Sequence, residues 1–202
     1  SSVTVYLTGL VALFVLVSPA QTPGDQGSES SYSNRPLRYP HIESEGECPV
    51  SLGSNDVVPS THPYIFGAGG YFFGNGPVYL GLAWKPADRA EARFELVDRI
   101  PRVSQGYRLK TPWIMDPEYE GKALVRGARI GFATSDQILF DGPQATGPAL
   151  VLRSQNPGTL VSPAQLEAGR NWGFWPTSMV VPAPGCYALQ IDTESSSDVV
   201  VF

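Results

Sequence analysis

The sequence predicts an all-β sandwich over residues 48–202. Glycine (21) and proline (19) are frequent, and this composition favours short strands joined by turns over long helices. Runs of β-branched and aromatic residues lie between them, with apolar and polar positions alternating as they do in half-buried strands. About 150 residues are enough to bury one substantial core, so we expect a single domain.

The chain begins with a candidate membrane segment. Residues 3–17 carry no charge, and residues 18–20 then offer small residues of the kind that a signal peptidase prefers, so a cleaved signal peptide is one interpretation. As a helix, residues 1–20 would reach about 30 Å, just enough to cross the apolar core of a bilayer. We favour an uncleaved single-span anchor in the bacterial inner membrane, with the main domain on the periplasmic side.

Residues 21–47 are predicted to form an extended tether. Residues 21–33 are rich in Gly, Ser, Pro, Gln and acidic side chains and cannot bury enough apolar surface to fold alone. The prolines of residues 35–40 push the residues before them towards extended geometry. If the tether is ordered, we expect the surface of a partner protein to hold it. Three acids alternate at its end, where a cation site is conceivable but a solvated linker face is the favoured interpretation: Glu43, Glu45 and Glu47.

Residues 64–76 mix glycine with aromatic side chains. A glycine-rich phosphate cradle would need a preceding strand, a following helix and a Lys or Ser/Thr at fixed spacing, and the sequence offers none of these. Two interpretations remain. The segment is either a hairpin with aromatic packing, which we favour, or an exposed aromatic loop that contacts a partner or the membrane interface.

Short strands separated by turns are predicted next. Pro112 indicates that one of them is an edge strand or contains a bulge, and Gly127 is expected to interrupt another. Residues 90–99 could also start with a helical turn, but we favour a strand. One helical turn is predicted at residues 162–169, with Ser as cap, Pro at the first position and Gly at the stop. The predicted strands cover residues 77–84, 90–99, 107–115, 122–132, 137–140 and 148–153.

The last three strands are the clearest. The first starts at Trp172 and ends before Pro182, the second covers residues 186–191, and the third covers residues 198–202. In the second, Tyr187, Leu189 and Ile191 alternate with Cys186, Ala188 and Gln190, the period of two expected when one face is buried. About eight or nine strands with turns between them predict an immunoglobulin-like β-sandwich.

A short pattern near the end resembles one seen elsewhere. Val181-Pro182 is followed by Gly185-Cys186-Tyr187. This resembles bacterial extracytoplasmic all-β domains of unassigned function that end in a Phe-Pro, Gly-Cys-Trp strand pattern, with Tyr here in place of Trp. The resemblance covers residues 48–202 and implies a secreted or membrane-anchored domain, but carries over no catalytic residue. Other segments that fit in order are Cys48-Pro49-Val50, Gly74-Asn75-Gly76, residues 78–82, Lys110 with Trp113, and residues 121–129.

Cys48 and Cys186 are the two cysteines of the chain. In an extracytoplasmic protein an even pair usually forms a disulfide, and we expect one here. A catalytic thiol would need a nearby base, and the two histidines, His41 and His62, lie in proline-rich connecting sequence.

Catalytic patterns are weak. The acid pairs Asp116/Glu118 and Glu118/Glu120 are compatible with a glycosidase cleft, but carboxylates in a turn usually point into water. Residues 131–135 do not form a nucleophile elbow, and no metal-binding spacing occurs. We therefore expect no catalytic activity, no metal and no cofactor. The net charge of −5, without a basic cluster, argues against nucleic-acid binding.

Two non-catalytic functions remain. The favoured prediction is an accessory subunit of a bacterial membrane complex that contacts other subunits and membrane lipid. Photosynthetic reaction-centre and light-harvesting assemblies contain single-span subunits of similar layout, and there the partners' pigments could touch the helix. The alternative is a secreted or anchored ligand- or glycan-binding sandwich, with stacking by Trp113, Trp172 or Trp175. The predicted partner-binding residues, of types common at interface hot spots, are Tyr6, Phe14, Arg35, Arg38 and Tyr39.

Overall fold

A computed structural model describes residues 32, 34–42, 46–57, 71–81, 90–93, 100–131, 136–142, 145–154 and 172–202. Within these residues the chain forms eleven strands in two antiparallel sheets and almost no helix. The predicted all-β class is therefore confirmed, and the two sheets are consistent with a sandwich. The predicted anchor, with Tyr6 and Phe14, and the helical turn at 162–169 lie outside the described residues.

The eleven strands outnumber the eight or nine predicted, because several are only two to four residues long. In chain order they are β1 (Phe72–Phe73), β2 (Val78–Gly81), β3 (Arg102–Val103), β4 (Gly106–Met115), β5 (Lys122–Arg129), β6 (Leu139–Gly142), β7 (Ala145–Gly147), β8 (Ala149–Arg153), β9 (Gly173–Val181), β10 (Tyr187–Asp192) and β11 (Ser197–Val201).

The larger sheet has seven strands in the order β1-β2-β4-β9-β6-β7, with β3 also paired to β4. The smaller sheet has the order β11-β10-β5-β8. Residues 51–54 join an edge of each sheet. The Ser51 amide donates to the Val201 carbonyl at 2.9 Å, and Ser54 and Phe72 exchange two backbone hydrogen bonds of 2.9 Å. Two sheet edges are thereby covered, which protects them from pairing with other chains.

The hydrophobic core lies between the two sheets. Trp113 and Trp175 face each other in register across β4 and β9 and are 0% and 1% exposed. The smaller sheet contributes the inward side chains of β10, which are Tyr187, Leu189 and Ile191. Alternate residues of each strand therefore point into one shared core, as the period of two predicts.

β4 is neither an edge strand nor bulged, so the prediction from Pro112 was wrong for the strand, although Pro112 itself is paired on one side only among the described residues. β4 runs without interruption between β2 and β9, and Pro112 stands opposite Pro176 of β9. Proline has no N–H to donate, so the two facing prolines form a non-hydrogen-bonded pair. At such a pair the ladder needs no N–H···O bond between the two residues. Pairing with β2 ends one residue away, at Leu80–Trp113.

Gly127 does not break β5 either. It pairs with Leu189 of β10 in an unbroken ladder. A Cβ atom there would lie 2.6 Å from Ile138 Cδ1, 2.7 Å from Leu189 Cδ2 and 2.9 Å from the Ala188 carbonyl oxygen. Glycine is present because the core packs against the backbone at this point.

The predicted disulfide is confirmed. Cys48 and Cys186 are bonded, with their Cα atoms 5.6 Å apart and a sequence separation of 138. The bond ties the segment before the first strand to the residue that precedes β10. In the part of the chain that the structure describes, no helix is long and apolar enough to cross a bilayer.

Candidate functional site

The outer face of the smaller sheet is covered by residues 34–42, which we call the strap. The strap follows β10 in the opposite direction. Arg35 lies at the turn after Asp192, Pro36 and Arg38 contact Gln190, and Tyr39 and Ile42 pack near Ala188. All six residues of β10 are buried as a result, whereas its alternating pattern predicted one buried face.

Arg35 occupies a pocket of oxygen acceptors. Its Nη1 donates to the Ser196 carbonyl at 2.8 Å and its Nη2 donates to the Glu194 carbonyl at 2.9 Å. The Asp192 carboxylate lies 3.9 Å from Nη1. Backbone carbonyls and a carboxylate thus converge on one guanidinium, whose planar fork of donors suits several fixed acceptors.

Gln190 binds the backbone of the strap. Its Oε1 accepts a hydrogen bond from the Arg38 amide at 2.6 Å, and its Nε2 donates to the Pro36 carbonyl at 3.2 Å. The side chain is 1% exposed, so this amide needs partners to offset its loss of water. Contacts of this kind depend on the path of the strap backbone and leave the Leu37 and Arg38 side chains exposed.

Asp192 is the centre of the network. Its carboxylate has no accessible surface and accepts from Arg126 Nη2 at 2.6 Å. Gln190 Nε2 lies 3.0 Å from each carboxylate oxygen, and Ser197 Oγ donates at 2.7 Å. Arg126 Nη2 also donates to the Arg35 carbonyl at 2.9 Å. A buried carboxylate with a cation and neutral donors around it satisfies the usual condition for burying charge.

The other end of the strap is apolar. Tyr39, Ile42 and the disulfide pack on a small cluster formed by Ile130, Ala188 and Val201. Burial raises the pKa of Tyr39 to about 12, while Arg126 lowers it and Asp192 raises it. Within the described part of the chain, the buried Tyr39 hydroxyl has no hydrogen-bond partner.

The three described residues predicted to bind a partner therefore all belong to the strap. Arg35 and Tyr39 contact the chain's own sheet, and Arg38 does so through its backbone while its side chain is exposed. The surface that holds the tether at these positions is the domain itself. Tyr6 and Phe14 lie outside the described residues, so the predicted contacts of the helix stay predictions.

The three tryptophans considered for ligand stacking are placed differently. Trp113 and Trp175 are core residues, and a ring without accessible surface has no face to offer a ligand. Trp172 is half-buried on the outer face of the larger sheet, with its ring centroid 6.4 Å from that of Tyr79 and the two planes 48° apart. Phe174 completes this aromatic patch, and all three rings pack against the buried Ile114.

The acidic residues lie in a turn, as expected. Asp116 Oδ1 accepts a hydrogen bond from the Glu118 amide at 2.8 Å, and Glu118 and Glu120 are exposed. A cleft of about 300 Å³ adjoins the turn and is lined by Asp116, Tyr119, Glu120 and Ser154, among others. Met115 and Gly173 also line it; both face the inner side of the larger sheet, whereas the aromatic patch lies on the outer side.

The described residues contain no group of three or more His, Cys, Asp or Glu side chains that could hold an ion. Glu47 is exposed and lies 3.8 Å from Arg93, which fits a solvated position. Glu43 and Glu45 lie outside the described residues.

Sequence reasoning missed the residues that receive the strap, Gln190, Asp192 and Arg126. The available signal was Gln190 and Asp192 on a strand that is otherwise apolar. Polar residues that alternate with apolar ones ordinarily face water, so the pattern alone gave no reason to expect a cover.

Comparison with protein-family models, with curated proteins and with solved structures finds no match for this chain.

Proposed function

We propose that this chain is a non-catalytic accessory subunit of a bacterial membrane complex, attached by an N-terminal span and placed on the periplasmic side. The observation that carries the proposal is the docked strap. Thirteen residues, 21–33, separate the apolar segment from the strap, and a fully extended chain of that length spans at most about 45 Å. A strap fixed to the sheet therefore keeps the domain close to the membrane.

The disulfide supports an extracytoplasmic location, because structural disulfides persist in oxidising compartments. A domain held near the bilayer by a short tether is placed to contact the extracytoplasmic surface of neighbouring subunits. A photosynthetic reaction-centre or light-harvesting assembly is one complex of this layout, and its pigments would belong to the partners. We further propose an immunoglobulin-like connectivity, which two antiparallel sheets around one core support.

The experiment is purification from native membranes in mild detergent, followed by intact mass measurement of the chain and identification of co-migrating proteins. We expect a chain that retains residues 1–20, within a large complex, and an Arg35→Ala variant that still co-migrates but is cut more readily by protease in the strap. A soluble, solitary chain that starts near Gln21 would contradict the proposal.

A second candidate function is favoured by the aromatic patch. Tyr79, Ile114 and Phe174 are in register across β2, β4 and β9, and Trp172 adds a half-buried ring against Tyr79. Half-buried aromatic rings on an outer sheet face are suited to stacking on the apolar face of a neutral sugar.

Cellohexaose, maltohexaose and chitohexaose are suitable probes for affinity electrophoresis with the full chain. Binding that Trp172→Ala weakens, and that Leu52→Ala leaves unchanged, would support this second function. Leu52 is 74% exposed and is not part of the patch, so it controls for loss of an apolar surface side chain. Absence of binding to all three sugars would count against it.

A further inference from the structure

The strap is structurally separable from the sandwich. None of residues 34–42 belongs to a strand, and the core between the sheets contains no strap residue among those described. Its contacts are instead side-chain hydrogen bonds at one end and a small apolar cluster at the other. The core of the sandwich is thus complete without the strap, which lies on the sheet as a peptide lies in a receptor.

We propose that the outer face of β5, β10 and β11 is a binding groove for an extended, arginine-bearing peptide, and that the strap is its resident ligand. The groove contains three separate recognition features along β10. These are the oxygen pocket around Arg35, the Gln190 amide and the apolar cluster formed by Ile130, Ala188 and Val201.

These features define the chemistry of the ligand. The pocket selects a guanidinium, because the Glu194 and Ser196 carbonyls and the Asp192 carboxylate surround Arg35 in fixed positions and a lysine cannot form the same fork of bonds. Gln190 then requires a backbone carbonyl one residue after the arginine and an amide three residues after it. Such spacing is met by an extended peptide.

A cleft at the pocket leaves space beside the strap. It has a volume of about 290 Å³ and is lined by Arg35, Pro36, Arg38, Gln190 and residues 195–197. The pocket end of the groove therefore stays accessible while the strap is bound, and an incoming arginine peptide has room to compete there first. The strap has the advantage of being tethered, since a short linker gives an effective concentration of about 1 mM.

The experiment measures binding of a fluorescein-labelled peptide with the sequence of residues 34–42 to the full, oxidised chain by fluorescence anisotropy. The Arg35→Ala chain, whose own strap has lost its main polar anchor, is expected to bind this peptide at least tenfold more tightly than the wild-type chain. The Arg35→Ala, Gln190→Ala double variant is expected to lose that binding.

Peptide variants test specificity. The peptide with Arg35→Ala is expected to bind at least tenfold more weakly, because it cannot fill the pocket. The peptide with Arg38→Ala loses the same charge but keeps its backbone amide, and is expected to bind within about threefold of the parent. The proposal would be overturned by equal binding of the two variant peptides. It would also be overturned if the unsubstituted peptide bound equally weakly to the wild-type chain and to the Arg35→Ala chain.

If the Arg35→Ala chain does not fold, the wild-type chain gives a second test. A peptide with a photoreactive phenylalanine derivative at Leu37, which is exposed, should crosslink to β10, β11 or the turn between them, and excess unlabelled peptide should suppress the crosslink. Crosslinks elsewhere, or none that compete, would overturn the proposal. The groove does not depend on membrane attachment, so its test and that of the proposed function fail separately.

Discussion

The two faces of β10 are both buried, but by opposite chemistry. The inner face presents Tyr187, Leu189 and Ile191 to the core between the sheets. The outer face presents Ala188, Gln190 and Asp192 to the strap, which meets the last two with hydrogen bonds and ion pairs. The inner face is stabilised by loss of apolar surface from water, and the outer face mainly by satisfaction of polar groups that have already lost their water.

Substitutions on the two faces of β10 should therefore destabilise different parts of the molecule. Apolar packing is spread over many neighbours, so a deletion there should lower the stability of the whole domain. The outer network depends on a few directed bonds, so a deletion there should act on the strap and its immediate surroundings.

Leu189→Ala should lower the free energy of unfolding by about 3 kcal/mol, because Leu189 has no exposed surface and the substitution leaves a cavity. Urea unfolding followed by tryptophan fluorescence measures this loss. The control is Leu52→Ala, which removes the same atoms from a side chain that is 74% exposed and should cost less than about 0.5 kcal/mol. Similar losses for both would mean that the inner face is not the principal core.

Asp192→Asn should cost about 2 kcal/mol at neutral pH, since it removes the counter-ion of Arg126 inside the network. The cost is below that of a fully buried pair because the Arg126 side chain is 19% exposed. Asp136→Asn is the control: its carboxylate is 29% exposed and 3.6 Å from Arg129, so less than about 1 kcal/mol is expected. If the two variants unfold at the same urea concentration, Asp192 is not the centre of the outer network.

Arg35→Ala should loosen the strap with a global loss of about 1.5 kcal/mol, because two hydrogen bonds from a charged group to carbonyls are removed from a partly exposed site. Hydrogen exchange should accelerate at the Arg38 amide, which donates to Gln190, and stay unchanged in the ladder between β5 and β10. Arg38→Ala removes an exposed guanidinium and should leave exchange as in the wild type. Faster exchange throughout β10 would show that strap and sheet open together.

Tyr39→Phe should leave stability unchanged at pH 7, since the described part of the chain offers the buried hydroxyl no partner. The folded-state pKa of Tyr39, about 12, lies above its ordinary value of 10.0. The folded chain therefore holds the Tyr39 proton more tightly than the unfolded chain does. Titration of Tyr39 leaves the free energy of unfolding unchanged below pH 10 and lowers it as the pH rises towards 12. Alkaline unfolding of the wild type and the variant, followed by circular dichroism, should diverge over that interval, with the variant more stable.

Tyr187→Phe provides the inner-face counterpart. The Tyr187 hydroxyl donates to the Ala183 carbonyl at 2.6 Å, so its removal should cost about 1 kcal/mol at pH 7, where Tyr39→Phe costs nothing. Burial raises the pKa of Tyr187 as well, so this variant should also resist alkaline unfolding. A neutral-pH loss in Tyr39→Phe would reveal a partner for its hydroxyl.

Much of the fold follows from local patterns. The strands at the end of the chain were predicted to within one or two residues, because alternation and the turn residues at 182–185 and 193–197 act locally. The disulfide was also predictable, because the chain has two cysteines, and an even pair is a common disulfide pattern. The predictions for the strands that contain Pro112 and Gly127 were wrong. Whether a strand accepts a proline or a glycine depends on the residues that face it on neighbouring strands, here Pro176 and Leu189.

The strap network was not predictable in the same way. Arg35 and Tyr39 were recognised as interface residues from their types, but their partner is the chain's own sheet, about 150 residues away in sequence. Gln190 and Asp192 carry the pattern of exposed strand residues. Trp113 and Trp175 are of a residue type that often stacks on ligands, but both lie in the core.

The sequence by itself determined the all-β class, the final strands and the disulfide, because backbone preference, side-chain alternation and the number of cysteines are properties of local sequence and composition. Only the tertiary structure decided which side chains are covered. Burial depends on which distant segment comes to lie on a face, and residues 34–42 convert the polar face of β10 from a solvated surface into a covered one.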